Sequence, residues 1–182
     1  MLVKDLYMKQ TYLDTCIMEN LRKRGVIAKG QQLLSYRLLA LAVEIGELTD
    51  AVKENVTRKD KLGEYVDVLH FMLSIGNITR INKPYATITF KEMYKELDKP
   101  TEWKNALEGL IIAHSKFSNV TRCFKYWSLE KVWNVEYATS SFLYMWIDFI
   151  TVGHSLGFGD EEIEEAYLKK NEINYQRQRN KY

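Results

Sequence analysis

Leu6, Leu13, Ile17 and Leu21 recur at near-helical spacing across residues about 3–23, and apolar positions with that period mark one face of an amphipathic helix. The stretch KRGVIAKG breaks the pattern. From Gln31 the chain runs without a turn signal to about residue 56, through LLSYRLLALAVEIGELTDAVKEN. That run is too long for a strand, and Leu, Ala and Glu dominate it, all good helix formers. TRKDKLG then links it to a third helix over about 62–80, EYVDVLHFMLSIGN. INKPYATIT is loop-like around Pro84, with a short strand over YATITF as the other reading. Residues about 102–122 place Leu107, Leu110, Ile111 and His114 on one side of a further helix, and another covers about 135–155. Gly153, Gly157 and Gly159 mark a loop. Asp160 is the expected N-cap of the last helix, because Glu161, Glu162 and Glu164 crowd its first turn and lysines follow. Nine Gly and two Pro leave few breaks elsewhere. The pattern predicts an all-α fold, a bundle of about six to eight helices in one domain spanning 1–182.

Composition narrows the class. A chain of 182 residues is long enough to bury a core without staples. Hydrophobic residues make up 46% and charged residues 27%, a globular balance. The formal net charge is +2, from 26 basic and 24 acidic residues, so the marked basic excess of a nucleic-acid binder is missing. MLVKDLYMKQ carries charge and has no apolar core, unlike a signal peptide. No run of about 18 apolar residues is present, so no membrane span is expected and the location expected is cytoplasmic. Cys16 and Cys123 form no CxxC and no Cys/His cluster, which fits reduced thiols. His70, His114 and His154 each stand alone without metal-ligand spacing and are expected in core or surface roles.

Chemistry concentrates on the second and third helices. Glu44 and Glu47 are three apart, and so are Glu64 and Asp67. Residues three apart share a helix face. Both pairs lie in apolar sequence, where uncompensated carboxylates are costly and a cation is the usual compensation. A short link makes the two helices antiparallel neighbours and brings the four carboxylates together. An all-oxygen set suits a hard cation such as Mg²⁺. Asp50 and Glu54 continue the acidic stripe and read as solvated. On the last helix, Lys170, Asn174 and Arg177 fall at i, i+4 and i+7 along one face. Two cations with an amide between them form a cradle for a polyphosphate, although Lys and Arg also end helices for dipole reasons.

EIGE followed by EYVD resembles the ExxE…ExxD metal signature of the all-α nucleotide pyrophosphohydrolases. That superfamily includes the dimeric dUTPases, dCTPase-dUTPases and MazG-type enzymes. AYLKKNEINYQRQRNKY is similar to the KNxxNxxRQ…Y ending of the dimeric dUTPases, QTYLD to their glutamine-containing first motif, and DVLHFMLSIGN to their third helix. The resemblance implies Mg²⁺ held by Glu44, Glu47, Glu64 and Asp67, phosphates met by Lys170, Asn174 and Arg177, and a base or sugar pocket built from Gln10, Asp14, Asn77 and Asn171. It implies hydrolysis of dUTP to dUMP and pyrophosphate by a homodimer, with Glu47, or else Glu44, as general base. A dCTPase-dUTPase or a MazG-like dNTP pyrophosphohydrolase is the neighbouring reading. A repressor-binding protein on the same fold is the reading from another class, with the aromatic-rich segment of Trp103, Tyr126, Trp127, Trp133 and Tyr137 as its surface. Members of the family often stack an aromatic on uracil near the metal helices, yet no Trp, Phe or Tyr lies between Glu47 and Glu64.

Overall fold

A computed structural model describes residues 3–80, 105–124 and 135–180. Six α-helices make up the described residues: α1 (Val3–Lys23), α2 (Gly30–Lys53), α3 (Arg58–Thr79), α4 (Ala106–Phe124), α5 (Val135–Ser155) and α6 (Asp160–Arg179). No strand occurs among them. The segment around Pro84, with YATITF, and Trp103, Tyr126, Trp127 and Trp133 lie outside the described residues, as does the side chain of Tyr137. Among the described residues no helix is long and apolar enough to cross a membrane.

α3 is the central helix. Tyr65, Val66, Val68, Leu69, Met72, Leu73 and Ile75 are all buried, so it is apolar around most of its circumference and needs partners on several sides. α1, α2 and α6 pack directly against it. α2 presents Leu34, Leu38, Leu41, Ile45 and Leu48, one stripe at helical spacing, to the shared core. On the far side Tyr65 stacks on Phe149 of α5, ring centroids 4.1 Å apart, and its hydroxyl donates to the Phe149 main-chain oxygen at 3.1 Å. α4 pairs with α5 and with α2.

Two helix starts differ from the sequence expectation. α3 begins at Arg58, so most of TRKDKLG is its first turn and not a link. Thr57 is the reason: its Oγ1 accepts the Asp60 amide, the arrangement that satisfies a free N–H at a helix start. At α6 the N-cap is Gly159, and Asp160 is the first helical residue. The Asp160 carboxylate is engaged instead by His154 Nε2 at 2.7 Å, which ties the end of α5 to the start of α6.

Close approach depends on two glycines. A Cβ at Gly76 would lie 2.7 Å from the Tyr7 ring, and one at Gly153 would lie 2.7 Å from the Tyr65 ring. Gly76 therefore lets α1 settle on α3. The Asn77 amide then donates to the Tyr7 main-chain oxygen at 3.1 Å across the same seam.

Candidate active site

The antiparallel arrangement of α2 and α3 sets Glu44 and Glu47 against Glu64. One carboxylate oxygen from each lies within 4.8 Å of the others. Glu44 and Glu64 are half-buried, while Glu47 is exposed. Asp67 stands beside this trio rather than in it, and Lys170 of α6 donates to its Oδ2 at 2.7 Å. Electrostatically all four belong together. Burial pushes the Glu44 carboxyl up to about 7, with the charges of Asp67, Glu47 and Glu64 and a hydrogen bond with Glu47 adding to the rise. Glu64 is raised by burial and by Asp67 and Glu47, with Lys170 opposing.

These residues fit a hard divalent cation. Mg²⁺–oxygen distances of about 2.1 Å put neighbouring octahedral ligands about 3.0 Å apart and opposite ones about 4.2 Å apart, so oxygens within 4.8 Å of one another reach a shared ion by side-chain rotation that draws them together. The Glu44 carboxyl is raised first by burial and then by the neighbouring carboxylates, and a cation held among them would offset both.

A second constellation connects α6 with α1 and α2. Asn171 Nδ2 donates to the Tyr167 hydroxyl at 3.1 Å, which donates to Gln10 Oε1 at 3.0 Å. Gln10 Nε2 in turn donates to Asp14 Oδ1 at 3.1 Å, where Arg37 Nη2 also arrives at 3.0 Å. Gln10 is 3% exposed, so its amide is held between these partners rather than open to solvent. His70 Nδ1 lies 2.8 Å from the same Gln10 oxygen. An amide oxygen only accepts, so Nδ1 carries the proton and Nε2 is left as a buried acceptor without a partner among the described residues. Burial, then the charge of Lys170, lowers the His70 pKa to about 3 and keeps the ring neutral. Burial raises the Asp14 carboxyl, and Arg37 beside it opposes the rise.

Two clefts open beside α1. One, of about 420 Å³, is lined by Asp14, Met18, Ile27, Asn77 and Ile78 among others. It brings together two of the residues the sequence marked for a base or sugar and surrounds them with aliphatic walls. The other, of about 550 Å³, holds Asn174 and Arg177. Lys170, Asn174 and Arg177 thus share a face of α6, with Lys170 at the carboxylates and the other two further along it. Sequence reasoning passed over Tyr167 and Arg37 and expected His70 in a core or surface role, and His70 is buried in the core. His70 lies one turn after Asp67, and a histidine continuing an acidic face was a usable signal; Tyr167 and Arg37 carried none. His114 contacts Thr49 and His154 contacts Asp160.

A protein-family model described as dUTPase matches residues 2–99 and 133–182. No curated protein and no solved structure matches the chain.

Proposed function

The chain belongs to the dUTPase family, and on that premise we propose that it hydrolyses dUTP to dUMP and pyrophosphate in a magnesium-dependent reaction, as a cytoplasmic homodimer. The observation that carries the reading is the Glu44–Glu47–Glu64 cluster with Lys170 and Asp67 at its edge. Glu44, Glu47, Glu64 and Asp67 would hold the metal. A divalent ion there supplies polarisation of phosphoryl oxygens and acidification of water. Glu47 is the exposed member of the trio and the preferred acceptor of the attacking water's proton, with Glu44 the alternative. Lys170, Asn174 and Arg177 would neutralise charge on the departing pyrophosphate. Asp14 and Asn77 would meet the base or sugar in the 420 Å³ cleft. Gln10 and Asn171 would set the hydrogen-bond direction of that wall through Tyr167. The aliphatic side chains of Met18, Ile27 and Ile78 offer a flat base the apolar contact that an aromatic gives elsewhere.

The test is pyrophosphate release from dUTP, dCTP, dTTP, dATP, dGTP and UTP, with Mg²⁺ and with EDTA. Release confined to dUTP and abolished by EDTA is expected. Glu47→Gln should lower turnover by about a hundredfold or more with an unchanged circular dichroism spectrum. Release from dCTP as well would move the chain to a dCTPase-dUTPase reading, and no release from any nucleotide would overturn the proposal.

A further inference from the structure

Arg37 of α2 reaches across to α1, where its Nη2 donates to Asp14 Oδ1 at 3.0 Å. The two side chains are only 15% and 16% exposed, so each charge depends on the other more than in a surface pair. The guanidinium also lies over the Phe71 ring of α3, 5.7 Å from its centroid, within range of a cation–π contact. Its Nε is buried and has no partner among the described residues. Contacts on two sides hold the group in place.

What Arg37 holds is an acceptor. Gln10 Nε2 donates to the same oxygen, Asp14 Oδ1, at 3.1 Å. Two donors thus converge on one carboxylate oxygen. Neither takes Oδ2, which is left over for the cleft of about 420 Å³ that Asp14 lines. Burial raises the Asp14 carboxyl and the Arg37 charge opposes the rise, which favours the ionised form that only accepts. Ser74 faces this carboxyl from α3 and Tyr167 from α6, and neither brings a positive charge.

Position ties the pair to the carboxylate cluster. Arg37 comes seven residues before Glu44 on α2, and Ser74 comes seven after Asp67 on α3. Each offset is two helical turns, about 10 Å along the same face. Because α2 and α3 run antiparallel, both offsets lead the same way. A nucleotide with its phosphates at the carboxylates would lay its sugar and base in that direction.

We propose that Arg37 is a positioning residue for nucleoside recognition: it fixes Asp14 so that one carboxylate oxygen stays free to accept a hydrogen bond, which selects a ligand that presents an N–H or O–H there. The inference rests on the dUTP reading above. A uracil imide N–H and a deoxyribose 3′-hydroxyl share that donor chemistry. Cytosine carries no proton at N3 and a 2′,3′-dideoxynucleotide has no 3′-hydroxyl, so the two sources are separable.

Steady-state kcat and KM are measured with Mg²⁺ for dUTP, dCTP and 2′,3′-dideoxyuridine triphosphate, with an inhibition constant in place of KM for a nucleotide that is not turned over. Arg37→Met should raise KM for dUTP by about tenfold or more and change kcat by less than about threefold, with Arg37→Lys recovering part of the loss. A rise for both uridine nucleotides but not for dCTP assigns the donor to the imide N–H. A rise for dUTP and dCTP but not for the dideoxynucleotide assigns it to the 3′-hydroxyl. The same rise for all three overturns the proposal. In an Asp14→Asn background, Arg37→Met should add nothing to KM, and a further rise of about tenfold there would mean that Arg37 acts other than through Asp14. That double variant leaves neither charge unpaired, so it serves where Arg37→Met alone does not fold, and a KM for dUTP equal to that of the unaltered protein overturns the proposal as well. Turnover of none of the three by the unaltered protein ends the dUTP reading and this proposal with it, whereas turnover that Arg37→Met leaves unchanged ends this proposal alone.

Discussion

Glu44 shows what three clustered carboxylates do to one residue. Its carboxyl is held up near 7 by burial and by its neighbours' charges, so the metal-free protein carries a local repulsion. Glu44→Gln removes one of the repelling charges and keeps the shape. Its melting temperature in EDTA at about pH 8 should therefore exceed that of the unaltered protein, while the rise on adding Mg²⁺ should disappear. An unchanged Mg²⁺ response would remove Glu44 from the ligand set. His70 acts in the opposite sense. Its folded pKa of about 3 lies below the ordinary 6.5, so between those values the unfolded chain binds a proton that the folded one does not. Its contribution to stability is present above pH 6.5 and is lost as pH falls toward 3. Urea denaturation across that range should show the decline, and His70→Gln should flatten it. The acidic positions were legible because ExxE and ExxD encode a shared helix face within four residues. Arg37 and Tyr167 were not, because each gains its role from a partner 23 and 157 residues away, and spacing along the chain holds no record of such a meeting.

Helices were legible as elements from apolar period, and their ends were less so. Thr57 starts α3 a turn before the expected point because a threonine cap competes with the turn-like look of TRKDKLG. Asp160 is the converse case, a good capping residue drawn off by His154. Seams between helices were invisible, since a glycine inside a helix looks the same whether or not a ring lies against it. Gly76 is such a seam. Gly76→Ala should destabilise the protein by about 1–3 kcal/mol, because the Tyr7 ring must move and α1 with it. Loss of nucleotide binding alongside stability would show that the seam also registers Gln10 and Asp14, whereas an unchanged denaturation midpoint would mean that Tyr7 rotates freely.

For the molecule as a whole, the family match spans both sides of the unmatched stretch 100–132, which includes α4. α2 and α4 pack together yet leave apolar side chains to solvent, with Leu39 66% and Ile111 69% exposed. Under the homodimer reading these are the surface that a second copy covers. Leu39→Asp should then shift the mass measured by light scattering from two chains toward one, while a monomeric unaltered protein would end that reading. One contact links the two halves of the proposed site. Lys170 is paired with Asp67, so under the proposed function one ammonium is shared between a carboxylate that would bind metal and the phosphates it would meet. A metal that takes over Asp67 sets that ammonium loose, and a phosphate that draws the ammonium away bares Asp67. Each ligand would then raise the affinity for the other by the same factor. In kinetic terms, the Michaelis constant for nucleotide would go on falling as Mg²⁺ rises above the concentration at which the nucleotide itself is fully complexed.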